Sequence, residues 1–344
     1  MQNKTLYLDF IEKALQLPKT DVDAPLIIDM FAGCGGLALG FEAAGFRTVG
    51  YEKLEDACTT YRHNLHNSCH QITLPRKPDL VNGATAIIGG PPCQPFSVGG
   101  HQLGLKDSRD GFPIFIDAVE HYRPQLAIFE NVRGMLFRNK AYFEEIVTAL
   151  RELGYIVEWN ILNAAHYGVP QRRERLFCVA HKGRWKWPQK THVNSPYTAG
   201  EALGELAFLA PSDSKFLTPS MDEYIKKYEI ASKCVKPRDL HLDAPSRTVT
   251  CRNLSAPTGD MLRIRLPDGR RRRLTVREGA RLQSFPDWFE FQGREESQCN
   301  QIGNAVPPVL AKVLAYSVKA YLDDLEKEVI EKSHLLSQPI QLSL

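Results

Sequence analysis

The feature that most constrains the fold is an apolar segment followed at once by a cluster of glycines. Residues 25–30, PLIIDM, have the composition of a buried strand, and they run into the glycine-rich residues 31–40, FAGCGGLALG. Glycines permit a tight turn before a helix, whose first N–H groups face a bound ligand. A strand, a glycine-rich turn and a helix are the parts of a nucleotide-binding βα unit. The sequence therefore predicts an α/β fold with a nucleotide site at this turn.

A second predicted strand, residues 45–52, ends in Glu52. Glu52 follows the glycines by about 20 residues, the spacing of an acid that accepts hydrogen bonds from ribose hydroxyls. The turn also fits the dinucleotide-binding pattern that ends in alanine, here Ala38. An NAD-dependent oxidoreductase therefore stays open at this point.

A cysteine lies in a constrained setting within residues 89–100, GGPPCQPFSVGG. Pro91 and Pro92 each fix φ at about −65°, and residues 84–88 before them are typical of a buried strand. Cys93 is therefore predicted at the carboxyl end of a strand, where ligands bind in open α/β sheets. A small buried cysteine is the ordinary alternative, but a thiol held stiffly at this edge favours a nucleophile.

Further polar side chains are predicted at the same edge. Residues 94–110 are polar and glycine-rich without periodicity, so we expect a loop that closes over the site. Residues 126–129 predict a buried strand that ends at Glu130, on the same edge of the sheet as Cys93. Arg173 and Arg175 stand two apart at the start of another predicted strand, so both side chains would point to one face.

The composition changes after about residue 182. Residues 183–272 are richer in Pro, Ser and Lys and have weak periodicity, which indicates a smaller second domain, and residues 274–285 then predict a helix. The whole chain carries 43 Lys and Arg against 40 Asp and Glu, a net charge of +3 that does not by itself indicate nucleic acid. A local cluster of basic residues is better evidence for nucleic-acid binding. Such a cluster either belongs to a solvated loop or contacts phosphates. The clustered arginines are Arg263, Arg265, Arg270, Arg271, Arg272 and Arg273.

The bulk properties of the 344 residues exclude several classes of protein. No apolar run reaches about 18 residues, so we expect no membrane span, and charges interrupt the N-terminal apolar stretch, so we expect no signal peptide. The eight cysteines form no CxxC pair, which argues against a zinc knuckle. We expect a reducing, cytoplasmic protein without a metal.

Taken together, these motifs resemble the DNA cytosine-5 methyltransferases that use S-adenosylmethionine. The resemblance covers about residues 26–182 and 273–312, and the motifs occur in the family's order. The similar segments are DMFAGCGG at 29–36, PPCQ at 91–94, ENV at 130–132, QRRER at 171–175, Arg277-Glu278 with QSFP at 283–286, and GNAVPP at 303–308.

The resemblance assigns roles to individual residues. It implies catalytic roles for Cys93, Glu130, Arg173 and Arg175. The cofactor would contact Asp29, Phe31, Ala32, Gly33, Gly35, Gly36, Leu37, Glu52, Pro91, Asn304 and Ala305. We expect DNA to contact Gln94, Ser97, Arg263, Arg265, Arg270, Arg271 and Arg272. The chain departs from the family at Gln71, which stands where an adenine-contacting aspartate is usual.

The resemblance also implies an architecture and an activity. Residues 1–183, completed by 300–344, would form the catalytic and cofactor-binding domain around a Rossmann-like methyltransferase sheet. Residues 184–285 would form the smaller target-recognition domain and hinge. The implied reaction methylates carbon 5 of a cytosine in a specific duplex DNA sequence, after the base is flipped out. We expect a monomeric modification enzyme of a bacterial restriction-modification system, associated with the nucleoid. The sequence leaves open whether a cognate endonuclease exists, and we expect no direct contact with one. A family member that methylates tRNA stays an alternative.

Overall fold

The structure is a computed structural model that describes residues 5–19, 21–92, 110–212, 214–231, 233, 238–256 and 259–336. Three of the predicted site residues, Cys93, Gln94 and Ser97, lie outside the described residues, as does the predicted closing loop except for Asp110. Within the described part of the chain, no helix has the length and apolar character needed to cross a membrane.

Strands and α-helices alternate from α1 to β3 and from β4 to β6. The strands are β1 Leu26–Met30, β2 Arg47–Glu52, β3 Cys69–Gln71, β4 Ala86–Gly89, β5 Leu126–Val132, β6 Ile156–Asn163, β7 Gln171–Arg172, β8 Glu174–His181, β9 Ser246–Arg247, β10 Arg263–Arg265 and β11 Arg271–Arg273. The helices are α1 Leu6–Ala14, α2 Gly36–Ala43, α3 Glu55–Asn64, α4 Phe112–Tyr122, α5 Lys140–Glu152, α6 Ala199–Leu203, α7 Pro219–Ala231, α8 Cys251–Ser255, α9 Val276–Leu282, α10 Glu295–Asn304 and α11 Pro308–Leu336.

Seven strands form the central sheet in the order β3-β2-β1-β4-β5-β8-β6. The first five are parallel, and β8 runs antiparallel to both β5 and β6. The strand order reverses between β1 and β4, and the crevice outside the carboxyl ends at such a point is where open α/β sheets bind ligands. The prediction of a Rossmann-like α/β sheet is confirmed.

Alternate residues of the central strands face opposite sides of the sheet, as the period of two requires. Ile27 and Ile128 belong to the core cluster that contains α2 and α11, whereas Ile28 and Phe129 belong to the cluster that contains α4 and α5. Helices therefore pack against both faces of the central strands.

The last helix returns to the first βα unit. At Gly40 in α2, a Cβ atom would lie 2.4 Å from the backbone nitrogen of Lys312 in α11, so only glycine permits this approach. The start of α11 is held by Ser284, whose hydroxyl accepts a hydrogen bond from the backbone nitrogen of Val309 at 3.2 Å. The C-terminal part of the chain thereby packs beside the glycine turn.

Residues 184–285, called the second region below, form short helices, the small sheet of β10 with β11, and strand β9, which pairs with β7 outside this region. Arg172 of β7 pairs with Arg247 of β9, which joins this region to the sheet edge. Ala202, Leu203 and Ile264 belong to the same core cluster as Ile27. The second region therefore shares one continuous apolar core with the central sheet.

The helix predicted over residues 274–285 is shorter than expected, since α9 covers Val276–Leu282. Thr275 and Glu278 form a capping box that fixes its first residue. Ser284 takes a φ of 63°, in the left-handed region, which a continuing helix does not allow.

Candidate active site

The turn after β1 is shaped by three residues with positive φ. Phe31, Gly33 and Gly35 have φ values of 57°, 55° and 88°. A Cβ atom at Gly35 would lie 2.8 Å from side-chain atoms of both Leu65 and Tyr61, so the position has no room for a side chain. The predicted cofactor glycines therefore do form a tight turn directly beyond the end of β1.

Glu52, at the end of β2, is held by two backbone amides. The nitrogen of Gly33 donates to Oε2 at 2.9 Å, and the nitrogen of Leu54 donates to Oε1 at 2.8 Å. The carboxylate thus bridges the ends of two neighbouring strands. Because each carboxylate oxygen has two lone pairs, both keep accepting capacity toward hydroxyl groups.

Polar and aliphatic side chains lie next to Glu52 along the same edge. Gln71 ends β3, pairs in register with Glu52 and is exposed. Leu54 and Ile72, near Glu52 in the chain and in the sheet, are 56% and 43% exposed. Apolar surface with a few polar groups is the composition of small-ligand sites.

Asp29 occupies an interior position. It is 1% exposed and belongs to β1, so its carboxyl group is buried within the strand and does not lie at the open edge. Burial raises the pKa of Asp29 well above its ordinary range, the charge of Glu52 raises it further, and the backbone amide of Ala38 opposes the rise. Direct contact of Asp29 with a ligand is therefore not what the structure favours.

The start of α2 is closed by the segment after α10. A Cβ atom on Gly36 would lie 2.5 Å from the carbonyl oxygen of Val306 and 3.1 Å from Cβ of Ala305. Asn304, the last residue of α10, is exposed beside this contact. The predicted residues from two distant motifs, near 36 and near 305, are thus brought together.

A second group of polar side chains lies at the ends of β4, β5 and β8. Nε of Arg175 is 3.0 Å from Oε1 of Glu130, and both side chains are largely covered. A Cβ atom on Gly90 would lie 3.7 Å from Oε2 of Glu130, and Nδ2 of Asn131 donates to the carbonyl oxygen of Pro91 at 3.0 Å. The Glu130–Arg175 pair therefore lies against the residues that directly precede Cys93 in the sequence.

The ionisation of Glu130 reflects two opposing influences. Burial raises the pKa of Glu130, and the charges of Arg175 and Arg173 lower it without cancelling the rise. Burial likewise lowers the pKa of the Arg175 guanidinium, although Glu130 counteracts this. Glu130 thus holds a proton more readily than an ordinary carboxyl group, beside a guanidinium that donates hydrogen bonds.

The chain leaves the described residues at Pro92 and returns at Asp110. The nitrogen of Gly111 donates to the carbonyl oxygen of Pro92 at 3.0 Å, and a Cβ atom on Gly111 would lie 3.0 Å from Cζ of Phe31. Asp110 accepts hydrogen bonds from the Tyr142 hydroxyl and the Phe112 nitrogen. Pro92 and Gly111 therefore lie together, with Gly111 against Phe31 of the glycine turn.

Arg173 is buried, and its guanidinium binds backbone carbonyl groups from separate segments. It donates to the oxygens of Val249 at 2.7 Å, Gly303 at 3.0 Å and Ala305 at 3.1 Å. Burial, followed by repulsion from Arg175, lowers the pKa of Arg173. The side chain therefore holds the second region and the 303–305 segment against the site.

Two buried glutamines, which the sequence analysis did not assign to the site, complete this junction. Nε2 of Gln171 donates to Oε1 of Gln283 at 2.7 Å, and Oε1 of Gln171 accepts from the nitrogen of Val249 at 2.8 Å. Nε2 of Gln283 donates to the carbonyl oxygen of Ile302 at 2.6 Å. Gln171 begins the QRRER motif and Gln283 begins the QSFP motif, and these two motifs are the signal in the sequence that points to both residues.

The arginines of the second region correct part of the sequence prediction. Arg263 is fully buried and binds Asp239 at 2.6 Å and Glu229 at 2.7 Å. Arg272 is also fully buried, with two hydrogen bonds to Glu278 at 2.7 and 2.8 Å. Since their charges are covered and paired, these two arginines stabilise the second region and are not available to phosphates.

The remaining predicted arginines differ in exposure. Arg271 is largely covered between Asp222 and Asp239. The side chains of Arg265 and Arg270 are 51% and 60% exposed, although each contacts an aspartate at 3.2 and 2.7 Å. Arg265 and Arg270 are therefore the members of this predicted set that are open to a polyanion.

The chain matches known proteins over most of its length. Residues 26–320 match the family described as C-5 cytosine-specific DNA methylase. The chain is 59% identical over 325 residues to the Type II methyltransferase M.AplI of Arthrospira platensis, covering 94% of each protein. It is 31% identical over 370 residues to the Type II methyltransferase M.NgoFVII of Neisseria gonorrhoeae, covering 95% of this chain and 96% of the other.

Solved structures share the fold. A DNMT2 mutant of Spodoptera frugiperda superposes with a TM-score of 0.66 at 18% identity, covering 86% of this chain and 99% of that chain. A prophage-encoded DNA modification methyltransferase of Escherichia coli gives 0.61 at 21%, covering 87% and 100%. The oxidoreductase alternative is thereby excluded, and the chain belongs to the C-5 cytosine-specific DNA methylase family.

Proposed function

We propose that the protein methylates carbon 5 of a cytosine within a specific duplex DNA sequence, through a covalent bond between Cys93 and the extruded base. The single observation that carries the proposal is the Glu130–Arg175 pair, 3.0 Å apart, beside Gly90 and Pro91. This pair supplies a proton-holding carboxyl group and a guanidinium next to the residue that the sequence analysis assigns as the nucleophile.

The residues at the ends of β1 and β2 fit S-adenosylmethionine. Glu52 would accept hydrogen bonds from the ribose hydroxyls, because backbone amides already fix both of its oxygens. Gln71, Leu54 and Ile72 would surround the adenine, with the Gln71 amide in place of the usual acid. When bound there, the cofactor supplies an electrophilic methyl group on a sulfonium centre.

Cys93 would add to carbon 6 of the cytosine as a thiolate. This addition makes carbon 5 an enamine carbon, which is a far better nucleophile than the aromatic ring carbon. Carbon 5 would form the new bond to the methyl group while the methyl–sulfur bond breaks, which leaves S-adenosylhomocysteine as the product. A base or water would then remove the carbon 5 proton, and the Cys93 sulfur would leave carbon 6. The thiol is thus regenerated and the ring is again aromatic.

Glu130 and Arg175 would stabilise the base while the thiolate adds. Negative charge develops on the ring, and a proton held between Glu130 and ring nitrogen 3 offsets it. Arg175 would donate to the carbonyl oxygen of the base. Because these groups cannot reach a base stacked in a duplex, the cytosine must be flipped out, and exclusion of water strengthens both interactions.

The relatives suggest a biological setting. M.AplI and M.NgoFVII are named as Type II methyltransferases, so we propose that this protein is the modification enzyme of a restriction-modification system. A cognate endonuclease would then cut the same sequence when it is unmethylated. The second region, with Arg265 and Arg270 exposed, would contribute to target recognition.

Transfer of labelled methyl groups tests the reaction. The wild-type protein, S-adenosylmethionine and plasmid DNA should give methylated DNA, and unmodified tRNA should accept none. Cys93→Ser should abolish transfer, with Cys299→Ser, a buried thiol of α10, as the matched control. Equal transfer by wild type and Cys93→Ser would refute the nucleophile assignment, and transfer to tRNA alone would refute the DNA substrate.

A further inference from the structure

An exposed rim lies on the far side of the Glu130–Arg175 pair from the cofactor turn. We define the β5–β8 rim as Val132, Arg133, Phe137, Arg172 and Glu174. Val132 and Phe137 are 54% and 66% exposed. Arg133 directly follows β5, Arg172 ends β7, and Glu174 begins β8. Val132 pairs in register with Arg175, so the rim is continuous with the active site.

The rim has an unusual composition for a surface without a ligand. Nη1 of Arg133 is 2.5 Å from Oε2 of Glu174, and its guanidinium carbon lies 5.8 Å from the centre of the Phe137 ring. The Arg133 side chain is 58% exposed. An exposed ion pair contributes little to stability, and a Phe side chain left in water loses the free energy of burial. The fold itself therefore gains little from this arrangement.

The charges of the rim and its surroundings favour an anion. Arg133, Arg138 and Arg172 are exposed, and Glu174 is the carboxylate that contacts Arg133. The carbonyl oxygen of Arg172 accepts a hydrogen bond from the Thr248 hydroxyl of the second region at 2.8 Å. The rim thus runs from the base-binding edge of the sheet to the region proposed to recognise the target sequence.

We propose that the β5–β8 rim binds the sugar–phosphate backbone of the DNA strand that carries the target cytosine. Arg133 exchanges Glu174 for a phosphate oxygen, Arg172 contacts a neighbouring phosphate, and the Phe137 ring covers a deoxyribose. Glu174 acts as an internal competitor that DNA must displace. The proposal rests on the proposed function and adds to it the residues that hold the strand beside the extruded base.

Replacing the two members of the Arg133–Glu174 ion pair should change DNA affinity in opposite directions. Duplex DNA that carries the mapped target site is titrated with each full-length variant over a series of salt concentrations. Arg133→Ala should weaken binding and make the slope of log K against log salt shallower by about one unit, because one phosphate contact is lost. Glu174→Gln should strengthen binding, since Arg133 is then released to the phosphate.

Two further variants separate charge from apolar contact. Phe137→Ala should weaken binding without changing the salt slope, because an apolar contact releases no counterions. Arg151→Ala, an exposed arginine at the end of α5, is the matched control and should change neither affinity nor slope. Urea unfolding of each variant shows whether the fold is intact.

A structural ion pair would behave differently. If Arg133→Ala and Glu174→Gln shifted DNA affinity in the same direction, or if Arg133→Ala matched Arg151→Ala, the rim would not bind DNA. Those results leave methyl transfer by the wild type intact, so they refute the rim alone. A wild-type protein that transfers no methyl group to duplex DNA would instead refute the proposed function.

Discussion

The two ends of one sheet edge hold carboxylates by different means. At the cofactor end, neutral backbone amides of Gly33 and Leu54 fix the Glu52 carboxylate. At the base end, Glu130 is covered and lies 3.0 Å from the charged Arg175. Both carboxyl groups are largely covered, so the difference lies in their partners. Amides fix the positions of oxygen atoms, whereas a covered cation also affects how readily a proton is held. We infer that Glu52 orients a ligand and that Glu130 participates in proton transfer.

Replacing the proton carrier should have the largest effect. Glu130→Gln keeps the shape of the side chain and removes its exchangeable carboxyl proton, so single-turnover methyl transfer should fall by about 100-fold or more. Cofactor affinity should be unchanged. Glu144→Gln, exposed on α5, is the control. A Glu130→Gln enzyme with the wild-type rate would break the distinction between the two carboxylates.

Replacing Arg173, which joins the second region to the 303–305 segment, should lower the stability of the protein. Arg173→Ala leaves the carbonyl groups of Val249, Gly303 and Ala305 without their buried donor, and we expect a loss of about 3 kcal/mol in the free energy of unfolding. Urea denaturation measures this loss. Arg172→Ala, on the exposed neighbour, should change stability little. Equal stability of both variants would remove Arg173 from its proposed position as a clamp.

The cofactor end should respond in affinity. Glu52→Ala removes a charged acceptor of two hydroxyl hydrogen bonds, so binding of S-adenosylmethionine measured by calorimetry should weaken by about tenfold or more. Glu55→Ala, at the exposed start of α3, serves as the control. Unchanged affinity for Glu52→Ala would contradict the ribose assignment. If the rate of methyl transfer fell while the affinity stayed the same, Glu52 would take part in the reaction, as proposed for Glu130.

The smallest expected effect concerns pH. Arg175 lowers the pKa of Glu130, so Arg175→Met should raise that pKa further. A carboxyl group with a raised folded pKa contributes full stability below its ordinary pKa, and this contribution is lost as pH rises through the folded value. The loss should therefore extend to higher pH in Arg175→Met. Carbon-13 shifts of the Glu130 carboxyl group measure the change, and a lowered pKa would contradict it.

The sequence was informative where local patterns determine position. Apolar runs predicted β1, β4 and β5. The common edge of parallel strands brings Glu130 close to Gly90, three residues before Cys93, as the pattern indicated. The second region was harder to predict. Arg263 and Arg272 looked like surface charge in the sequence. Their carboxylate partners, Glu229 and Glu278, are brought to them by the tertiary fold, which a local pattern does not show.

Long-range pairing explains the other residues that were missed. Gln171 and Gln283 are 112 residues apart in the sequence and share a buried hydrogen bond. Neither the spacing nor the hydrophobic pattern of either segment indicates the other. Such a pair is found only in the tertiary structure, where the second region packs against the central sheet.

The most direct test of the central claim is to trap the bond between Cys93 and the base. Duplex DNA with 5-fluorocytosine at the target position is incubated with the protein and S-adenosylmethionine. Fluorine at carbon 5 cannot leave as a proton does, so the adduct should persist, and mass spectrometry should find the nucleotide on the peptide that contains Cys93. No adduct from an enzyme that methylates ordinary DNA, or an adduct on another residue, would contradict the account.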